Sequence, residues 1–539
     1  MDNRLPPLIQ ALLNPAGYDH AVQNIHVVET HISWVVLTGP YAYKIKKPVN
    51  LGFLDFSTLD KRRFYCEEEL RLNRRLAEAL YLGVIPITGS PASPRLNGSG
   101  EAIEYAVKMV QFSEEARLDR MLARGELQAI HIDLLAQELA GFHDRVAVAG
   151  DDKPFGTPER VYEPVHQNFE QIRPRIETPD QAQLQRLQIW SELTFAELRR
   201  TFEDRKHRGF IRECHGDAHL ANMVWHDERV LLFDCLEFSE NLRWTDTMSE
   251  VAFLTMDLDD RGRADLAHRA LNAYLEHTGD YESLAVFGFY QVYRALVRAK
   301  VACIRSSQSD LSDEEKRRVR EEYLGYANLA ERYTQTPRTA LIIIHGLSGS
   351  GKTWLSQQLL ESLGTIRLRS DVERKRLYGL APHARSGSTI DSGIYTAEAG
   401  RRTYARLAEL AHVILRAGHP VIVDAAFLKR HQRDQLRVVA DQTRVPFVIL
   451  DVQTPESVLR ARLQRRVQQK YSPASLRFAR PDICKREASE ADLAVLDRQL
   501  ASHEPLTADE QRHVLVVDGA AAADITGLAS KLRARIGQA

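Results

Sequence analysis

Residues 340–353 of this 539-residue chain read ALIIIHGLSGSGKT, an apolar run, a glycine loop, then a lysine and a threonine that open WLSQQLLESL. The spacing G-x-x-x-x-G-K-T, after a strand-like run and before a helix-like one, restricts this part of the chain to an α/β P-loop NTPase fold with a parallel sheet. Glycines let successive backbone N–H groups point into one concavity, where they and the helix N-terminus hold phosphate oxygens. Gly346, Ser348, Gly349, Ser350 and Gly351 are the candidate donors. Lys352 is expected to reach the β/γ-phosphates and Thr353 a Mg2+ ion. A second apolar run, HPVIVDAAF (419–427), ends in Asp424. That carboxylate is suitably placed to hold the metal through water, or else to cap a helix.

The chain is far longer than the roughly 250–300 residues at which one core stops growing, so a second domain is expected. TQTPRT (334–339) interrupts a long helical pattern just before the apolar run. The sequence therefore predicts two independently folding parts, 1–335 and 338–539. In the first, HISWVVLTGPYAYKIKKPV (31–49) reads as a hairpin around Gly39-Pro40. The pattern turns helical after Ser57, LGVIPI (82–87) and EYAVKMVQF (104–112) read as strands, 89–100 reads as a loop, and 245–335 reads as helices. The expectation is an α+β fold, a small sheet with one helix followed by a mostly helical region.

Composition excludes several classes. No run of about 18 apolar residues could span a bilayer. A net charge of -1 gives no whole-chain basic field for nucleic acid or anionic membrane. The N-terminal residues lack the pattern of a secretory signal, and none of the five cysteines forms a C-x-x-C pair. A cytoplasmic setting is expected.

Residues 214–234, CHGDAHLANMVWHDERVLLFD, place Asp217 five residues before Asn222 and both before Asp234 at the end of an apolar run. The catalytic loop of kinases uses this D-x-x-x-x-N spacing. Asp217 would accept the proton of an attacking hydroxyl, and Asn222 and Asp234 would hold Mg2+ against nucleotide phosphates. His215-Gly-Asp217-Ala-His219-Leu-Ala-Asn222 resembles the aminoglycoside phosphotransferase and choline kinase branch of the protein-kinase-like fold, and the order of elements agrees over about 30–330. The resemblance implies that Lys44 contacts the α/β-phosphates, that Glu69 is its helix partner, and that Lys108–Phe112 is the hinge under the adenine. Lys46 shares the strand face of Lys44, and Glu68 adjoins Glu69, so a solvated charge cluster stays open as a reading of these residues. His215 and His219 are expected to support the loop, and Cys214 and Cys235 to be buried small side chains. Two family features are missing: no G-x-G-x-x-G precedes the hairpin, and Asp234 is followed by CLE.

Together the two parts resemble bacterial proteins described as bifunctional, an aminoglycoside-phosphotransferase-like domain fused to a P-loop kinase-like ATP-binding domain. RLRSDVERKRLYG (367–379) is similar to the S-D-x-x-R segment of polynucleotide, gluconate and toxin-type small kinases. That likeness implies Asp371 as acceptor base and Arg374 as its substrate or phosphate partner. VLRARLQRRVQQ (458–469) puts Arg460, Arg462, Arg465 and Arg466 on one helix, with Arg462 a candidate nucleotide contact. The alternative is a solvated face. EASEADLAVLDRQL (487–500) is typical of the fusion but suggests no chemistry. The expected function is a bifunctional ATP- and Mg2+-dependent phosphotransferase acting on hydroxyl groups of small molecules. A nucleotide-sensing regulator with an inactive kinase-like half, and a nucleic-acid end kinase, are the alternatives.

Overall fold

The structure is a computed structural model that describes residues 5–52, 54–306, 312–335, 338–382, 384, 386–387, 393–470, 491–521 and 524–537. The chain forms two compact units, residues 1–131, 141–171 and 199–257, and residues 132–140, 172–198 and 258–539. By compactness, the helices after 257 group with the P-loop fold.

In the first unit, β1 (His26–Glu29), β2 (Ser33–Leu37), β3 (Tyr41–Lys46), β4 (Tyr81–Ser90), β5 (Ser93–Leu96) and β6 (Ala102–Val110) form one antiparallel sheet, ordered β1-β2-β3-β6-β4-β5. The expected hairpin is β2–β3, turning at Gly39 with φ +97°. The stretch expected to be a loop, 89–100, contains β5, which pairs Gly89 with Pro94 and Ser90 with Ser93. Its proline misled the reading, because at a sheet edge a missing N–H need not cost a ladder bond.

Strand alternation separates the two faces of β3. Tyr43 and Ile45 pack with Val36, Ile87 and Ala106. Ala42 packs with Cys66, Ala77 and Val107 on the face covered by the Leu59–Ala77 helix. Lys44 and Lys46 share the parity of Ala42 and so face that helix. The helix starts at Thr58, whose side chain accepts from the Lys61 N–H, and its buried stripe includes Arg62, Cys66, Glu69, Asn73 and Leu76. This three- and four-residue spacing turns Glu69 toward β3.

Two antiparallel ribbons follow, β7 (Ile211–Glu213) with β10 (Trp244–Asp246), and β8 (Met223–His226) with β9 (Arg229–Leu232). Asp227 and Glu228, at φ +47° and +59°, close the β8–β9 turn. Both residues in the left-handed region match the twist of a two-residue hairpin.

In the second unit, β11 (Leu341–His345), β12 (Ile366–Arg369), β13 (Val421–Asp424), β14 (Phe447–Gln453) and β15 (Val514–Asp518) form a parallel sheet ordered β12-β13-β11-β14-β15. Ile342, Ile344, Ile422, Val448 and Leu450 join Leu355 and Leu359 of the Lys352–Leu363 helix in one core. Continuous Ile and Val runs are what a parallel strand covered on both faces requires. The Ala264–Thr278 helix covers the edge strand: Asn272 Nδ2 donates to Thr365 O at 3.1 Å, and its Oδ1 accepts from Arg367 N at 2.7 Å. Among the described residues, no helix is long and apolar enough to cross a membrane.

Candidate active sites

Between β3 and the Leu59–Ala77 helix lies a buried ionic cluster. Lys44 Nζ is 2.8 Å from Glu69 Oε1 and also pairs with Asp234. Lys46 Nζ is 2.7 Å from Glu69 Oε2, pairs with Glu237, and sits 4.9 Å from the centre of the Phe56 ring. Lys44, Lys46, Glu69 and Glu237 are all buried, so the solvated-cluster reading does not hold for them. Burial opposes charge on Lys44, but Asp234 and Glu69 outweigh it and raise its pKa. Burial likewise opposes ionisation of Glu69, yet Lys44 and Lys46 hold its carboxyl below the usual range. Of the two lysines, it is Lys44 that meets Asp234. Glu68 pairs instead with Arg71 at 2.9 Å.

The loop after β7 carries Asp217, whose side chain is 31% exposed. Asn222 Nδ2 donates to Asp217 Oδ2 at 2.9 Å and to its carbonyl at 3.0 Å. His219 Nε2 lies 3.4 Å from the same carboxylate oxygen. The Asp217 N–H donates to His215 Nδ1 at 3.2 Å, which leaves Nε2–H to donate to Phe233 O at 2.9 Å. Burial lowers the His215 pKa, keeping the ring neutral in this role. Both histidines are brought to the loop, with His215 tying it to the residue before Asp234.

Two residues not singled out in the sequence hold this geometry. Glu250, fully buried in the Thr247–Asp260 helix, accepts from the Gly216 N–H and lies 2.9 Å from His143 Nε2. Burial opposes its ionisation, but the contacts from His143 and Gly216 hold its pKa at about 2. Asn73 Oδ1 accepts from Cys235 N at 2.9 Å, beside Asp234, whose own N–H donates to Tyr81 Oη at 3.2 Å. Asp234 is in the left-handed region, φ +65°, so these neighbouring bonds support a costly conformation. Its side chain is 46% exposed. The Phe112 ring lies 5.0 Å from that of Phe233, which puts the expected hinge against the same strand end. Cys214 and Cys235 are buried, and burial raises the Cys235 thiol. Asn222 and Asp234, beside Asp217, offer oxygen donors, the chemistry that Mg2+ prefers.

In the second unit, Gly346, Gly349 and Gly351 take φ of +152°, +86° and +99°. A Cβ on Gly346 would come within 3.0 Å of Val452 O, so the loop needs hydrogen there. Lys352 Nζ donates to Gly346 O at 2.9 Å and Leu347 O at 2.8 Å. Burial lowers its pKa, against the pull of Asp424 and Asp371. Thr353 is exposed at the start of its helix, and Ser350 Oγ is buried with no hydrogen bond among the described residues. Asp424 closes β13, in register with Ile344 of β11 and Arg369 of β12, and accepts from Ser356 Oγ at 3.2 Å. Its carboxylate is one that could hold a metal there.

Asp371 is in the first turn of the Ser370–Leu377 helix, with Arg374 Nη1 3.8 Å from Oδ1. Arg374 also lies 5.1 Å from the centre of the Tyr395 ring. Arg462 comes to the loop from behind, donating to Gly349 O at 3.3 Å, Ser350 O at 3.4 Å and Gly519 O at 2.8 Å. These carbonyl contacts brace the loop. Arg460 is engaged with Glu456 at 2.8 Å and Asp497 at 2.6 Å, and Arg465 is exposed. Gln499, in the segment with no chemistry legible from sequence, accepts from Ser348 N at 2.8 Å, while Leu496 packs on Leu459 and Leu463. The beginning of that segment, 487–490, lies outside the described residues.

Comparison with known proteins agrees with both halves. A model described as the phosphotransferase enzyme family matches residues 63–287, and one described as an AAA domain matches 341–506. Uncharacterized proteins from Mycobacterium tuberculosis and Mycobacterium bovis are each 30% identical over 425 residues, 79% of this chain and 82% of theirs. The chain belongs to their family. It joins a phosphotransferase domain of protein-kinase-like fold to a P-loop kinase-like domain. Among solved structures, a choline/ethanolamine kinase family protein from Mesorhizobium loti is 12% identical, covering 61% of this chain and 96% of that one with a TM-score of 0.38. A sugar kinase from Janibacter sp. is 22% identical, covering 37% of this chain and 95% of that one with a TM-score of 0.27. The two domain matches make the family member a phosphotransferase of the kinase type.

Proposed function

We propose that the protein is a bifunctional ATP-dependent phosphotransferase, with one Mg-nucleotide centre in 1–335 and another in 338–539, each passing the γ-phosphate to a hydroxyl group of a small molecule. The observation that carries the reading is the buried Lys44–Glu69 pair whose lysine reaches Asp234, on a strand end tied to Asp217 through His215. A lysine so neutralised and fixed is preorganised for phosphate.

In the first centre, Lys44 binds the α/β-phosphates and Asp217 takes the proton of the acceptor hydroxyl. Asn222 would turn its amide oxygen to Mg2+ beside Asp234. In the second, the loop N–H groups and Lys352 hold the phosphates, and Thr353 and Asp424 would hold Mg2+. Asp371 accepts the acceptor's proton, with Arg374 beside it. Bound Mg2+ supplies charge neutralisation of the transferring phosphoryl group. The net charge of -1 supports small-molecule acceptors over a nucleic-acid end.

Calorimetric titration of the full chain with Mg2+ and a non-hydrolysable ATP analogue tests the nucleotide half of this reading. Two bound nucleotides per chain are expected, falling to one in Lys352→Ala. A single site that survives Lys352→Ala would overturn the second centre.

A further inference from the structure

The Leu493–Ser502 helix is fastened to the glycine loop at two points. Leu347 of the loop packs against the cluster of Leu459, Leu463 and Leu496, and Gln499, one turn after Leu496, brings its side chain to Ser348. An N–H can be accepted only by the amide oxygen, so the 2.8 Å bond from Ser348 N fixes which way round the Gln499 amide lies. Oε1 is committed to the loop. Nε2, on the same carbon, stands beside it with two N–H donors that have no acceptor among the described residues.

The loop itself indicates which part of a nucleotide meets those donors. Gly346, Ser348 and Ser350 use their N–H groups within the protein, donating to Ala426 O at 3.2 Å, Gln499 Oε1 at 2.8 Å and Leu347 O at 3.2 Å. Those of Gly349, Gly351, Lys352 and Thr353 have no acceptor among the described residues and are open to phosphate. They lead into the helix, the end of the loop that cradles the α/β-phosphates. Lys352 turns its ammonium back to the start of the loop, to Gly346 O at 2.9 Å and Leu347 O at 2.8 Å, and a lysine in this motif meets the β/γ-phosphates. Ser348 adjoins Leu347, so the Gln499 amide stands at the γ end.

We infer that Gln499 is a further catalytic residue of the P-loop centre, its Nε2 donating to an oxygen of the phosphoryl group in transfer while Ser348 N–H holds Oε1; this rests on the reading that this domain transfers phosphate. The bond from phosphorus to ADP breaks as the bond to the acceptor oxygen forms, and Gln499 neither gains nor loses a proton. A neutral amide of fixed orientation offers a donor to the charge spread over the equatorial oxygens and needs no reorganisation at the moment of transfer. Its effect therefore falls on the transition state more than on the binding of ATP.

The test uses the full chain and reads the nucleotide site that Lys352→Ala removes, with two ligands: Mg-AMP-PNP, which mimics bound ATP, and Mg-ADP with aluminium fluoride, which mimics the phosphoryl group in transfer. Gln499→Ala should weaken the aluminium fluoride complex by about 100-fold, against about fivefold for AMP-PNP. Gln499→Glu keeps an acceptor for Ser348 N–H but exchanges the donor for a negative charge. It should hold Mg-ADP affinity within about threefold of wild type and still lose the aluminium fluoride complex. Gln499→Met, which keeps the stem, replaces the alanine variant if that one is unfolded. Equal losses for the two ligands in Gln499→Ala, or an aluminium fluoride complex of wild-type affinity in Gln499→Glu, would make the side chain a brace alone and overturn the inference. A wild-type chain with no Lys352-sensitive nucleotide, or with nucleotide but no aluminium fluoride complex, overturns the reading of this domain as a phosphotransferase and the inference with it.

Discussion

Lys44 Nζ sits 2.8 Å from Glu69 Oε1 with both groups buried, while Lys46, two residues along the same face, holds the other oxygen of that carboxylate at 2.7 Å. The two lysines differ in their second partner, Asp234 for Lys44 and Glu237 for Lys46. Lys44→Met should therefore cost turnover at the first centre by about 100-fold or more, the scale of one preorganised electrostatic contact. Lys46→Met should instead destabilise the fold by about 3–5 kcal/mol, since it strands Glu237 in the interior. ADP release and thermal melting of both variants separate these outcomes; reversed roles would exchange the phosphate contact to Lys46.

The pKa of Glu250, at about 2, is well below the 4.5 of a free glutamate. A carboxyl depressed on folding stabilises the protein above its unfolded pKa, and that stability is lost as pH falls through the folded one. Glu250→Gln should flatten the acid side of the stability curve, removing on the order of 3 kcal/mol of pH dependence between about pH 5 and 2. Denaturant melts across this range check it. Parallel curves for wild type and variant would mean that Glu250 does not carry the loop's charge balance.

At the glycine loop, Gly346→Ala meets Val452 O at 3.0 Å from a backbone at φ +152°. Nucleotide affinity at this centre should fall at least about tenfold. Gln499→Ala removes only the acceptor of the Ser348 N–H, and a loss of about fivefold is expected. Titration of Mg-AMP-PNP into each folded variant gives the order; a Gln499→Ala effect as large as that of Gly346→Ala would give the Leu493–Ser502 helix more than a bracing role in nucleotide binding.

The P-loop and the D-x-x-x-x-N loop were legible because each is local: chemistry, spacing and flanking elements lie within one run of residues. The residues that complete them were not. Glu237, Glu250, Gln499 and Glu276 carry no mark in the sequence beyond being polar, and each gains its role from a partner brought near by folding. The choice between Lys44 and Lys46 was equally closed to sequence, since strand parity puts both on one face and only the second carboxylate each one meets distinguishes them. The edge strand β5 was hidden by its proline.

The contacts of Asn272 and Glu276 with β12 bear on where the chain can be cut. A piece starting at 338 leaves Arg367 and Arg369 without their carboxylate, a loss of about 3–5 kcal/mol for a broken buried pair. Residues 261–539 should melt at a higher temperature than residues 338–539. Equal melting temperatures would show that 338–539 is self-sufficient.

The claim that two centres transfer phosphate within one chain is tested most directly by acceptor-dependent ADP release from Mg-ATP, measured over a panel of hydroxyl compounds with the full chain, Asp217→Asn, Lys352→Ala and the double variant. The account predicts two groups of acceptors, one silenced by Asp217→Asn by about 100-fold or more and the other by Lys352→Ala, with neither active in the double variant. Acceptor-dependent ADP release that persists in the double variant, or a single variant that silences every acceptor, would contradict it.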